Sequence, residues 1–117
     1  MQYYNQTMGA TKTEHFSAKQ NQLAVILKAI AHPARIAIIE HLLKVQACIC
    51  VDIVNELPLA QPTVSQHLRE LKNAGIIKGN IEGTAICYCL DEKVMAQLNQ
   101  YFSKINIQLE KQKNACC

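Results

Sequence analysis

The sequence has no run of about eighteen apolar residues, the length a membrane-crossing helix needs, so no membrane span is expected. Its opening stretch, MQYYNQTMGATKTEH, lacks the apolar core of a signal peptide, and the expected compartment is the cytosol. It contains no Gly-rich loop able to cradle phosphates. No cysteine sits in an arrangement with a histidine base, as a nucleophilic site requires, and no Cys-x-x-Cys lies beside a βαβ unit. These absences remove the main enzyme classes, and no catalytic residue is assigned. A strong charge of one sign is missing too: 12 Lys and Arg oppose 9 Asp and Glu, a net +3. That mild excess permits nucleic-acid binding without requiring it. No internal repeat is visible.

What is present centres on Ala60–Gly75, AQPTVSQHLRELKNAG. Pro62 suits the first turn of a helix, where its missing N–H costs little, and Gly75 suits the left-handed residue just past the end. Val64, Leu68 and Leu71 recur at spacings of four and three and make one apolar stripe. The other face carries Thr63, Ser65, Gln66, Arg69, Lys72 and Asn73. Short polar side chains can exchange hydrogen bonds with base edges, while Arg and Lys hold phosphates. A solvated helix face would look similar, so the flanking segments decide. Upstream, Val51–Leu57 (VDIVNEL) reads as a short amphipathic helix stopped by Pro58, and only Pro58–Gln61 separates it from the second helix. That is the helix-turn-helix pattern. Downstream, Ile76–Lys78 runs into Gly79-Asn80, then Ile81-Glu82-Gly83, then Thr84–Leu90, where Ile86, Tyr88 and Leu90 alternate with Cys87 and Cys89 as in a strand with one buried face. Two such strands after the recognition helix make a β-wing.

The 117 residues form one domain. Residues 1–17 read as a loose tail, 18–112 as the folded domain and 113–117 as a cysteine-bearing tail. Ser17 is placed to cap a helix over Ala18–Ala31, whose apolar residues spread around much of its circumference. His32-Pro33 breaks it, and a second helix runs to Val45 with Ile36, Ile39, Leu42 and Leu43 facing inward. Gln46–Cys50 is a short extended piece. Asp91 caps a last helix, Glu92–Lys111, whose apolar stripe is too broad for so small a domain. Its surplus, with that of the first helix, is expected to bury against a second copy. The expected fold is mainly α, a winged helix-turn-helix of about five helices and a two-stranded antiparallel hairpin, forming a homodimer.

The chain resembles the arsenical-resistance and metallothionein-repressor (ArsR/SmtB) family of small bacterial regulators over about residues 20–111. The resemblance rests on Ala29-Ile30-Ala31-His32-Pro33-Ala34-Arg35, on Gln61 to Leu71 (QPTVSQHLREL), on Gly75-Ile76-Ile77 and on Tyr88-Cys89-Leu90. It implies a homodimeric repressor on a palindromic double-stranded operator, released by an inducer and carrying no constitutive cofactor. Gln61, Thr63, Ser65, Gln66 and His67 would face base edges or phosphates, Arg69 and Lys72 would hold the backbone, and Lys78 with Asn80 would touch the flanking groove; for His67, at the edge of the apolar stripe, a structural hydrogen bond is an equal reading.

Family members that sense zinc carry Asp and His ligands on the last helix; residues 92–113 hold no histidine, so that site is absent or crippled. Soft-thiolate sensors use a Cys-x-Cys near the first helix of the helix-turn-helix, and here Cys48-Ile49-Cys50 stands there. It departs from the family pattern, because Cys50 lies two residues before Asp52 rather than directly before it. In an extended segment, residues two apart share a face, so both sulfurs can grip one ion. Soft ligands favour As(III), ahead of Cd(II) or Pb(II). As(III) takes three sulfurs; the third is sought at Cys116-Cys117 or at Cys87/Cys89, though the wing pair also reads as plain small strand residues. A redox variant, in which the thiols form a disulfide or polysulfide, stays open. In the cytosol the six cysteines are expected to be mostly reduced. His32 is expected to pack or cap rather than ligate.

Overall fold

A computed structural model of the chain describes residues 13–45, 49–50, 57–82 and 85–113. The expected helix over residues 51–57 falls outside the described residues apart from Leu57, as do the wing tip at 83–84 and the tails at 1–12 and 114–117. A single 3-10 turn, Thr13–His15, precedes helices α1 (Ala18–Ile30) and α2 (Pro33–Val45). A two-residue strand β1 (Ile49–Cys50) follows, then α3 (Gln61–Asn73), strands β2 (Ile77–Glu82) and β3 (Ala85–Leu90), and α4 (Glu92–Gln112).

The boundaries have local causes. Ser17 Oγ accepts from the Gln20 N–H at 3.0 Å, and Gln20 Oε1 accepts from the Ser17 N–H at 3.0 Å, a reciprocal capping box that starts α1. Pro33 opens α2, and the His32 Nδ1 accepts from the Ala34 N–H at 3.0 Å, so His32 caps as the sequence suggested. Asp91 Oδ1 accepts from the N–H groups of Lys93 and Val94 to start α4. The end of α3 is a Schellman motif. Gly75 takes φ +81°, its N–H donates to Lys72 O and the Ile76 N–H donates to Leu71 O, both at 3.0 Å. Leu71 and Ile76, the apolar pair that accompanies such a motif, are both fully buried.

α3 runs through the middle of the core. Val64, Leu68 and Leu71 meet Ile26 and Ala29 of α1, Ile38 and Leu42 of α2, and Ile76 and Ile77 at the start of the wing. Two assignments of face change. On α2 the inward stripe is Ile38 and Leu42, with Ile39 beside it, while Ile36 and Leu43 are exposed. Apolar residues surround this helix, so spacing alone did not choose among them; the pair that packs is Ile38 and Leu42, and it brings Arg35 inward. α4 buries no residue completely: Val94, Met95 and Leu98 lean on the core, and Phe102, Ile105, Ile107 and Leu109 are exposed.

Among the described residues the expected two-stranded hairpin is joined by a third strand, in the order β1-β3-β2. β2 and β3 form the antiparallel hairpin, with Ile77 opposite Leu90 and Glu82 opposite Ala85. β1 adds to the outer edge of β3, with Ile49 opposite Tyr88 and Cys50 opposite Cys87. Ile49 and Cys50, the described end of the extended piece read before the helix-turn-helix, are therefore a strand paired with the wing. β3 is covered on both faces: Tyr88 and Leu90 pack on the core, yet Cys87, on the alternate side, is 1% exposed. Gly79 lies under the Tyr88 ring, where an added Cβ would sit 3.1 Å from Cε1.

Candidate nucleic-acid interface

The burial of Val64, Leu68 and Leu71 fixes the rotation of α3, and the opposite face is turned out. Gln61, Thr63, Gln66, Arg69 and Lys72 are exposed, and Ser65 is half-buried at the margin. Arg69 Nη1 donates to Gln66 Oε1 at 2.6 Å, so two of the candidate reading side chains are oriented together. Lys78 is exposed on β2, and Asn80 follows it on the same strand, opposite Cys87. The ammonium of Lys72 reaches to 3.5 Å from where a Cβ on Gly79 would stand, so the end of the helix lies against the wing. The face thus offers short polar groups at its N-terminal half and Arg69, Lys72 and Lys78 around them, chemistry suited to a polyanion.

His67 does not belong to this face: of its two readings, the structural hydrogen bond matches and the contact with bases or phosphates does not. It is 9% exposed, one step from Val64 and Leu71 along the buried stripe. Its Nδ1 accepts from the Arg35 Nε at 3.1 Å, and its ring lies 4.4 Å from that of His32. Burial first, then the proximity of His32 and Arg35, against a smaller opposing pull from Glu70, holds its imidazole below the ordinary value of 6.5. Arg35 Nη1 also donates to Ala29 O at 3.2 Å. One guanidinium thus ties the end of α1 to the back of the recognition helix. Arg35 was quoted only as part of a motif; the signal that could have marked it is its spacing of three and seven before Ile38 and Leu42.

The candidate thiol ligands fall differently. Cys48, Cys116 and Cys117 lie outside the described residues, and Cys50 is in β1. Cys87 and Cys89 are both disulfide-bonded in the structure. Among the described residues no group of three or more His, Cys, Asp or Glu is placed to hold a metal ion, and no single helix is long and apolar enough to cross a membrane.

Residues 32–78, which carry α2, β1 and α3, match the model of the family described as bacterial regulatory protein, arsR family. A cadmium resistance transcriptional regulatory protein CadC homolog of Staphylococcus aureus is 39% identical over 84 residues, covering 69% of this chain and 69% of that protein. The chain belongs to the arsR family. The HTH-type transcriptional repressor SmtB of Mycobacterium tuberculosis is 40% identical over 73 residues, 62% of this chain; the match spans only about half, 53%, of that relative's length. A crystal structure titled as a possible transcriptional regulator for arsenical resistance superposes with a TM-score of 0.61 at 27% identity, covering 78% of this chain and 95% of that one. The mainly helical winged helix-turn-helix is thus the arsR-family fold, and the family is one of regulators rather than enzymes.

Proposed function

We propose that the chain is a homodimeric transcriptional repressor that sits on a palindromic operator and leaves it when a thiol-binding inducer arrives. The observation that carries the DNA reading is the outward polar face of α3, held in place by its buried stripe and flanked by the Lys72–Gly79 approach of helix and wing. Gln61, Thr63, Ser65 and Gln66 face base edges, Arg69 and Lys72 hold phosphates, and Lys78 with Asn80 touches the flanking groove. Two copies of α3 enter successive major grooves about 34 Å apart. The dimer closes through α1 and α4, whose Val25, Leu27, Phe102, Ile105 and Ile107 are apolar and exposed. The protein works in the cytoplasm.

The inducer is a soft thiophile bound at Cys48/Cys50, arsenite first and Cd(II) or Pb(II) second. The names of the cadmium-resistance and arsenical-resistance relatives support that class. A redox reading is favoured by one observation, the disulfide state of Cys87 and Cys89. The test of the DNA reading is titration of the gene's upstream duplex at several salt concentrations. Sequence-dependent affinity with a steep salt slope is expected, and Lys72→Ala lowers that slope by about one. Affinity indifferent to sequence and salt would instead make the fold a protein-interaction module.

A further inference from the structure

A cleft of about 520 Å³ opens between the start of α2, the turn that leads into α3 and the first turns of α3. Pro33, Ala37, Leu57, Pro58 and Leu59 give it apolar walls, and His32, His67 and Thr63 bring its polar groups. The partners of both rings fix their tautomers. A guanidinium has N–H donors and no acceptor, so His67 Nδ1, which takes the Arg35 Nε–H, carries a lone pair. The Ala34 backbone N–H imposes the same on His32 Nδ1. An imidazole with a lone pair on Nδ1 holds its proton on Nε2. Each ring thus keeps one Nε2–H donor, and among the described residues neither finds an acceptor. His67 is only 9% exposed, and a buried donor without an acceptor is one of the costly features a fold seldom keeps. Arg35 does not line the cleft, so the nitrogen it holds is turned away and Nε2 is the one left for an occupant. The two rings are neighbours, with centroids 4.4 Å apart.

We propose that this cleft is an effector site for a small carboxylate with an apolar body, whose oxygens accept from the Nε2–H groups of His67 and His32. Its volume falls within the range of about 300–1,000 Å³ usual for small-molecule sites. Three features select an anion over a neutral acceptor. The Arg35 guanidinium behind His67 polarises the ring, and a donor backed by positive charge favours an ionised partner. Thr63 lies in the first turn of α3, whose N-cap Ala60 supplies no side-chain bond, so the uncapped positive end of the helix dipole adjoins the cleft. No acidic residue lines the cleft to repel a carboxylate. The walls in turn select a ligand with a hydrocarbon body, because apolar surface adds nothing to the binding of a bare hydrated ion. Thr63 also belongs to the face assigned to DNA, so an occupant adds negative charge at that end of α3 and opposes the phosphates. Lower operator affinity is the consequence, and this part alone rests on the DNA reading. The site itself is independent of that reading and of the thiols.

The probe is 2-naphthoate, whose fluorescence is read against a chain that has no tryptophan. The full chain is expected to bind one naphthoate, and to bind 2-ethylnaphthalene, which lacks the carboxylate, at least about tenfold more weakly. His67→Leu should weaken naphthoate by about tenfold or more, through loss of a hydrogen bond to a charged acceptor. Ala37→Phe, which fills the cleft, should abolish binding. Two-bond nitrogen–proton spectra should show both imidazoles as Nε2–H tautomers, with the His32 and His67 signals shifting as naphthoate is added. Naphthoate bound equally by the wild type, His67→Leu and Ala37→Phe sits elsewhere and overturns the inference. So does the absence of saturable binding, or a His67 ring protonated on Nδ1 alone. If His67→Leu does not fold, Ala37→Phe and the wild-type spectra decide. On the operator, saturating naphthoate should lower affinity by about 5–150-fold, and unchanged affinity with naphthoate bound overturns the effector role. A chain that binds naphthoate but no DNA overturns the repressor reading and leaves the carboxylate site standing.

Discussion

Arg35 gives the most specific structural prediction. Its guanidinium makes two partly buried hydrogen bonds, to His67 Nδ1 at 3.1 Å and to Ala29 O at 3.2 Å. Arg35→Met keeps a stem of similar length for packing and removes both donors, leaving a ring nitrogen and a carbonyl unpaired. Bonds to a charged group contribute about 1.5–3 kcal/mol each, but Arg35 is half-exposed and water recovers part of that, so the expected cost is about 2–3 kcal/mol in all. His67→Leu removes the acceptor while Arg35 retains Ala29 O, and should cost about 1–2 kcal/mol. Replacing both partners leaves no stranded ring nitrogen, so the double variant should be more stable than the sum of the singles implies, by about 1 kcal/mol. Urea unfolding at one fixed protein concentration, well above the histidine range of pH, measures the cycle. Costs that add to within about 0.3 kcal/mol would show that the two side chains do not interact, and the tie between α1 and the recognition helix would be refuted.

Because burial holds the His67 imidazole below 6.5, the unfolded chain binds its proton more readily than the folded one. Stability is therefore full above that value and declines as pH falls below it; His67→Leu should flatten the decline, and an unchanged pH profile would contradict the assignment. Leu71→Ala, at a side chain with 0% exposure, should cost about 2–5 kcal/mol in urea unfolding. Gly75→Ala places a side chain at φ +81° and should cost about 1–2 kcal/mol through backbone strain, since its added Cβ meets Val94 only at an ordinary 3.7 Å.

Where residue type alone determines local geometry, the sequence was legible. Ser17, Pro33, Gly75 and Asp91 mark the element ends they were assigned, because capping groups, a fixed φ and a positive φ act within a few residues. The α3 stripe was legible because its polar remainder is so distinct. α2 was not, since apolar residues surround it and only its neighbours decide which are covered. Hydrophobicity assigned Ile36 and Leu43 to the core beside Leu42, and packing kept Leu42 but chose Ile38 with it. The β1–β3 pairing was out of reach for the same reason. Two residues, Ile49 and Cys50, carry no periodicity, and their register on Tyr88 and Cys87 is a long-range fact. The wing cysteines therefore read as small strand residues, although the sheet sets one of them opposite a candidate ligand. His67, at the edge of the stripe, left a phosphate contact and a structural hydrogen bond both open; the structure gives the hydrogen bond, and its partner Arg35 lies 32 residues away, beyond what local spacing reveals.

The central claim is that this arsR-family chain holds operator DNA and releases it to a soft thiophile. Fluorescence anisotropy of the reduced protein on its own upstream DNA, with arsenite, cadmium, zinc and a persulfide donor added separately, tests it directly. The account predicts tight binding and release by arsenite in the wild type, with release lost in Cys48→Ser/Cys50→Ser while DNA affinity is kept. Typical inducer couplings of about 1–3 kcal/mol put the expected loss of affinity at about 5–150-fold. DNA binding that no thiophile weakens, or release that survives in the double variant, would contradict it.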